Sequence, residues 1–307
     1  MLQILIQLMK GILIGAANVV PGVSGGTMAL LTGIFERLIN AIDSCNNKAL
    51  FLLRQRKFSQ CWRHIDGLFL LTIGTGVLIS LFSFAKLLDW LFIQHKLYVW
   101  SFFFGLILAS VYAVGKTIRK WSVSGGIFFI FGTITSGSMA LLTPSTCNDS
   151  TLYLMLCGAI AMCSMILPGL SGSFVLLLMG NYELVINAIS QLHLKTLIPF
   201  GLGALLGIVL FARFLSWIFR RYHDQTVSLL TGFIFGSLAV LWPWKSEITQ
   251  MVVNGNEWKE KVIGYTYALP TSNLETYISI GLIVMGILLL LWTQNASKVT
   301  VPKNHLR

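Results

Sequence analysis

Apolar residues run through this chain in long unbroken blocks, without the two-residue alternation of a half-buried strand or the single stripe of a surface helix. Blocks long enough to cross the roughly 30 Å hydrocarbon core of a bilayer predict spanning helices near 67–93, 97–116, 124–142, 196–219, 226–243 and 274–293. Two further apolar stretches, 4–42 and 152–190, are each interrupted by a proline and glycine cluster: PGVSGG from Pro21 to Gly26, and PGLSGS from Pro168 to Ser173. Proline ends the helix before it and glycine admits tight backbone, so each stretch is expected to be a broken or re-entrant helical hairpin. A helical piece such as Thr27 to Ile42 would be only roughly 24 Å long at 1.5 Å per residue, too short for a full span.

The two interrupted stretches are copies of each other. Laying Pro21–Ile42 on Pro168–Ile189 matches Pro21/Pro168, Gly22/Gly169, Ser24/Ser171, Gly25/Gly172, Leu30/Leu177, Leu31/Leu178, Gly33/Gly180, Glu36/Glu183, Ile39/Ile186, Asn40/Asn187, Ala41/Ala188 and Ile42/Ile189. Farther on, Gly74–Phe92 lies on Gly201–Phe219, pairing Lys86 with Arg213 and Trp90 with Trp217, and Gly105 and Ser110 fall on Gly232 and Ser237. Each copy holds one hairpin and three spans, and an odd number of crossings makes the second copy enter the bilayer from the opposite face. The expected fold is therefore an all-α integral membrane protein of two inverted-topology repeats. The first repeat is 1–145, with hairpin 4–42, a basic loop at 43–66 and three spans; the second is 146–307, with hairpin 152–190 and three spans.

Composition agrees with a bilayer and changes the meaning of the charge. Hydrophobic residues make up 55% of the 307 positions and charged residues 11%, with a mean hydropathy of +0.77, which excludes a soluble globular class. A net charge of +11 would suggest a nucleic-acid partner in a soluble chain, but here the basic residues sit between the apolar blocks and report orientation. Lys48, Arg54, Arg56, Lys57 and Arg63, then Lys116, Arg119 and Lys120, then Arg220 and Arg221, and finally Lys298, Lys303 and Arg307 all fall on one side. The opposing segment TPSTCNDS at 143–150 has no Lys or Arg, and 244–273 reads as a loop mixing Lys with Glu. Both termini and the basic loops are thus expected on the cytoplasmic side of a bacterial inner membrane. Lys10 within the first apolar run, and no small-residue cleavage site before PGVSGG, argue that the N-terminal segment is kept.

Candidate chemistry centres on the interruptions. Backbone N–H groups left unpaired in hydrocarbon cost several kcal/mol each, so such breaks point inward, and helix N-termini hold anions without a basic side chain. Ser24 and Ser171 stand where they cap the following helices. The expected anionic headgroup site comprises Ser24, Gly25, Gly26, Thr27, Ser171, Gly172 and Ser173. Glu36, Glu183, Lys86 and Arg213 are secondary candidates for coupling or headgroup entry, with solvated caps and interfacial snorkelling as the plainer readings of the same residues. Arg37 aligns with Leu184 and so falls outside a symmetric site. His64, His95, His193 and His223 lie in loops or at span ends, and the five cysteines show no ligand spacing. No catalytic constellation, metal site or cofactor is expected.

PGVSGGTMALLTGIFERL, ILPGLSGSFVLLLMGNYE and the FFFGLILAS segment resemble the bacterial and archaeal membrane family of polyprenyl-phosphate translocases over nearly the whole chain. That resemblance implies a flippase returning undecaprenyl phosphate from the outer to the inner leaflet for reuse in peptidoglycan and other envelope polymers. Its implied partner is the polyprenyl-phosphate lipid within the bilayer, with no nucleic acid; a homo-oligomer stays open. The competing reading from the residues is a transporter or channel for a small soluble anion or amino acid, which inverted broken helices serve equally well; a membrane lipid phosphatase ranks below both.

Overall fold

The computed structural model describes residues 2–19, 24–142, 144–254 and 257–299. The first hairpin is α1 (Leu2–Val19), α2 (Gly25–Leu31) and α3 (Phe35–Asp43). Two short helices on the basic loop, α4 (Asn47–Arg54) and α5 (Phe58–His64), lead to α6 (Gly67–Gln94), α7 (Lys96–Gly115) and α8 (Val123–Ser138). The second half repeats the pattern with α9 (Thr151–Ile166), α10 (Gly172–Leu178), α11 (Tyr182–Ser190), α12 (Leu194–Arg221), α13 (His223–Leu241) and α14 (Leu274–Val299). Among the described residues, five helices or helix extensions are long and apolar enough to cross a membrane: Lys96–Gly115, Val123–Leu141, Leu194–Arg221, His223–Leu241 and Leu274–Trp292. Helix α6 runs unbroken for 28 residues over the remaining predicted span, 67–93.

Two expectations need correction. Thr27–Ile42 is not one helix: α2 stops at Leu31 and α3 starts at Phe35, and α10 and α11 meet at a bend of 117°. The cause is the matched pair Gly33 and Gly180, which adopt φ +70° and +76°, the left-handed region where a helix terminates without a side-chain penalty. Glu36 and Glu183 therefore sit in the first turn of a new helix. Second, the loop expected at 244–273 contains an antiparallel hairpin, β1 (Lys245–Asn254) and β2 (Glu257–Tyr267), running in register from Lys245↔Tyr267 to Asn254↔Glu257 with one irregularity at Ile248/Thr249. The Gly255-Asn256 dipeptide between two runs that carry β-branched and aromatic residues is a hairpin signal in the sequence that charge-based reading passed over.

Glycine lets the long helices touch backbone to backbone. In α1 and α6, Gly11 lies against the Ile73 carbonyl and Gly76 against that of Leu8; in α9 and α12, Gly158 lies against Phe200 and Gly203 against Met155. The third helix of each half crosses over to the other half. Helix α14 packs on α7 through Gly105 and Gly286, and α8 packs on α13 through Gly132 and Gly232. Both halves therefore share one apolar core, in which Phe35, Phe69, Ile107, Leu230, Ile234 and Leu241 are buried.

Candidate functional site

The serine-glycine turns meet. Ser24 caps α2 by accepting from Gly26 N at 3.1 Å, and the same hydroxyl donates across the molecule to the Leu167 carbonyl at 3.0 Å. In return Gly169 N donates to Thr27 Oγ1 at 3.0 Å. Ser24 and Thr27 are 2% and 0% exposed, so this seam is dry. It is also filled: Gly25 N donates to Asn18 Oδ1 at 2.8 Å, Thr27 N donates to the Ser24 carbonyl at 3.0 Å, and Gly26 abuts the Ile166 carbonyl. The amides expected to await an anion at α2 are taken by protein groups. Pro21, Gly22 and Val23 of the first motif lie outside the described residues.

The second turn is more open. Ser171 caps α10 at 3.5 Å from Phe174 N, and its hydroxyl lies 2.9 Å from that of Ser173, which is exposed, while Gly172 is buried against Met165. A void of about 10 Å³ beside Ser136, Gly169, Ser171 and Ser237 has room for a single water. Of the secondary candidates, Glu36 is brought to a cavity, described below, and Glu183 is exposed on α11. Arg213 is committed at 3.7 Å to Asp43, which Arg220 also approaches at 3.6 Å. The side chain of Lys86 lies outside the described residues.

Helix α2 is a wall shared by two larger spaces. Past its C-terminal end lies a polar cavity of about 770 Å³, lined by Leu30 and Gly33 and by Glu36, Arg37, Asp66, Arg119 and His223 from four other elements and linkers. These are the ends of the helices that the basic loops join. Within it Arg37 grips Asp66 with two hydrogen bonds at 2.7 and 3.1 Å and lies over the Phe69 ring. His223 presents one ring nitrogen to Glu36 at 3.2 Å and the other to Asp224 at 3.1 Å. Asp224 also accepts from the backbone N–H groups of Arg119 and Lys120. On its other flank α2 contributes Met28 to an apolar groove of about 570 Å³ with Ala17, Leu91, Phe102, Phe103 and Leu106, ending at His95 and Tyr98. Sequence reasoning missed the groove and missed Arg119 and His223, which stand far apart along the chain and converge only through folding.

A family model for undecaprenyl phosphate translocase-like proteins matches residues 14–258. A polyprenyl-phosphate transporter of Vibrio cholerae serotype O1 is 41% identical over 249 residues, covering 81% of each chain. One of Staphylococcus aureus is 27% identical over 256 residues, covering 78% of this chain and 86% of the relative. No solved structure matches the chain.

Proposed function

The chain belongs to the undecaprenyl phosphate translocase-like family, and from that premise we propose that it carries undecaprenyl phosphate from the outer to the inner leaflet of the bacterial cytoplasmic membrane. It is a multi-pass membrane transporter of the polyprenyl-phosphate class and not an enzyme. The observation that carries the finer reading is the position of α2, with a polar cavity past one end and an almost wholly apolar groove on its flank. A substrate with a phosphate head and a long isoprenoid tail needs both surfaces at once, because a charged head left in hydrocarbon is costly. A soluble anion would have no use for the groove.

In this reading the two halves are inverted repeats, 1–145 and 146–307, with both termini and the basic loops cytoplasmic. The seam between Ser24–Thr27 and Leu167–Gly169 is the midway gate. When it parts, Ser24, Gly25, Gly26, Thr27, Ser171, Gly172 and Ser173 offer their hydroxyl and amide donors to the passing phosphate, and Lys86 and Arg213 draw heads toward the two faces. The returned carrier is then available for envelope polymer synthesis.

The test is a vesicle assay with purified protein and labelled undecaprenyl phosphate, scoring how fast inner-leaflet heads become accessible to an impermeant reagent outside. The expected outcome is protein-dependent exchange with the lipid chemically intact, slowed in the combined Ser24→Ala, Ser171→Ala variant. Exchange no faster than in empty vesicles would refute the transport reading, and release of inorganic phosphate would replace it with an enzyme.

A further inference from the structure

We infer that the polar cavity beneath α2 is a phosphomonoester site, the resting place of the lipid head on the side of the basic loops, with Arg119 as its principal ligand and Arg37 as a second. This rests on the transport reading and moves the head from the serine-glycine turns to the cavity in the state described here. The first turn is occupied by protein: the amides of Gly25, Gly26 and Thr27 already have acceptors. The cavity is open, at about 770 Å³, within the size range of small-molecule sites.

Charge within the cavity singles out Arg119. The Glu36 carboxylate faces His223, and the Asp66 carboxylate is held by Arg37. Asp224 is engaged by His223 and by two backbone amides. Among the described residues the Arg119 guanidinium makes no ion pair, and it is exposed to the cavity. A phosphomonoester carries about −1.5 to −2 charges at neutral pH, and the guanidinium fork matches two of its oxygens. Arg37, also on the cavity lining, is held in a single ion pair with a carboxylate whose own exposure is 39%, a contact that solvent weakens and that a dianion can displace. The head also remains tethered correctly: Leu30, on the cavity wall, lies two residues from Met28, on the groove wall, so head and tail straddle the same short helix.

The experiment titrates the purified full-length protein with farnesyl monophosphate, with farnesol and inorganic phosphate as separate arms. Arg119→Gln should weaken farnesyl monophosphate roughly tenfold, about what one charge-assisted hydrogen bond contributes, and leave farnesol unchanged. Arg119→Lys should recover part of the loss. Asp66→Asn should act in the opposite direction, tightening the phosphate by releasing Arg37; Asn tolerates the left-handed backbone that Asp66 adopts at φ 52°. Arg54→Gln on α4, outside the cavity lining, controls for net charge and should change nothing. A rise in affinity from one charge removal and a fall from another is not something misfolding produces. If Arg119→Gln binds as tightly as the intact chain, the site is elsewhere and the transport reading survives. Equal affinity for inorganic phosphate and farnesyl monophosphate would overturn the lipid assignment. An intact chain that binds the phosphate at the cavity but exchanges no lipid in vesicles would sink transport and leave the anion site standing.

Discussion

Replacing Thr27 by valine isolates the contact that closes the seam. The two side chains have nearly the same shape, so at a residue 0% exposed the substitution opens no void, and its cost lies in the hydroxyl. Thr27 Oγ1 accepts from Gly169 N at 3.0 Å; without it that buried amide loses its acceptor. An orphaned buried donor costs about 1–3 kcal/mol, and in a protein interior surrounded by lipid no water enters cheaply to replace the oxygen. One to three kcal/mol corresponds to a factor of about 5–150 in an equilibrium.

The assay is amide hydrogen exchange of the protein in detergent or nanodiscs, followed at the peptide containing Gly169. Protection there should fall by about 5- to 150-fold in Thr27→Val, while peptides from α4 and α5, remote from the seam, keep their rates. Thr27→Ser gives the complementary result: it loses a methyl worth about 1 kcal/mol yet keeps the acceptor, so Gly169 stays protected. Unchanged protection of Gly169 in the valine variant would refute the view that this hydroxyl ties the two hairpins together.

The two bends should respond unequally to the same change. A Cβ added at Gly33 meets nothing within 4 Å, so Gly33→Ala should cost only the left-handed strain of about 1–2 kcal/mol; Gly180→Ala adds overlap with the Ser145 and Thr146 carbonyls and should cost about 1–3 kcal/mol more, read as a lower thermal midpoint. Asn181→Ala removes two hydrogen bonds, at 2.9 and 2.7 Å, to the backbone of Asn148, and should lose about 2–3 kcal/mol and expose segment 144–150 to protease before the rest of the chain. Cys45 and Cys147 are both exposed but lie on opposite sides in the proposed topology. An impermeant maleimide applied to cells should label Cys147 alone, and Cys45 only after permeabilisation. Partial desolvation of the sulfur, and then the neighbouring Cys61, raise the Cys45 thiol above its ordinary range, so its labelling should accelerate as pH rises through the mildly alkaline region.

Spans and hairpins were legible because a bilayer imposes a length on every apolar block, and the copies were legible because proline, glycine and serine mark the same backbone event twice. The bends at Gly33 and Gly180 carried the same kind of signal, a matched glycine inside a helical stretch, but glycine in a membrane helix more often serves close packing, as Gly105 and Gly232 do here. Glu36, picked out as a candidate for coupling or headgroup entry, lines the polar cavity, and so does Arg37, which was set aside for lacking a partner in the repeat. A symmetry filter passes over side chains that line this cavity without a counterpart in the other copy. Arg119 and His223 come from segments more than a hundred residues apart, and only the packing of α7, α13 and α3 into one core brings their polar ends to one place.

That asymmetry bears on how the molecule works. Gly33 opens onto the cavity, while its copy Gly180 is covered: Ser145 N donates to the Leu178 carbonyl at 2.8 Å, Tyr153 donates to that of Met179 at 2.8 Å, and Asn181 is bonded on both sides of its amide to Asn148. Two copies of one turn thus occupy two environments, one open and one latched. If the halves are inverted as proposed, the first environment faces the side of the basic loops and the second the opposite side, and exchanging them is what carries a head across. Transport then requires segment 144–150 to release Asn181 at about the cost of the hydrogen bonds it breaks, a few kcal/mol. Asn181→Ala should therefore destabilise the fold and yet favour opening toward the side opposite the basic loops, two effects that a purely structural latch would not separate.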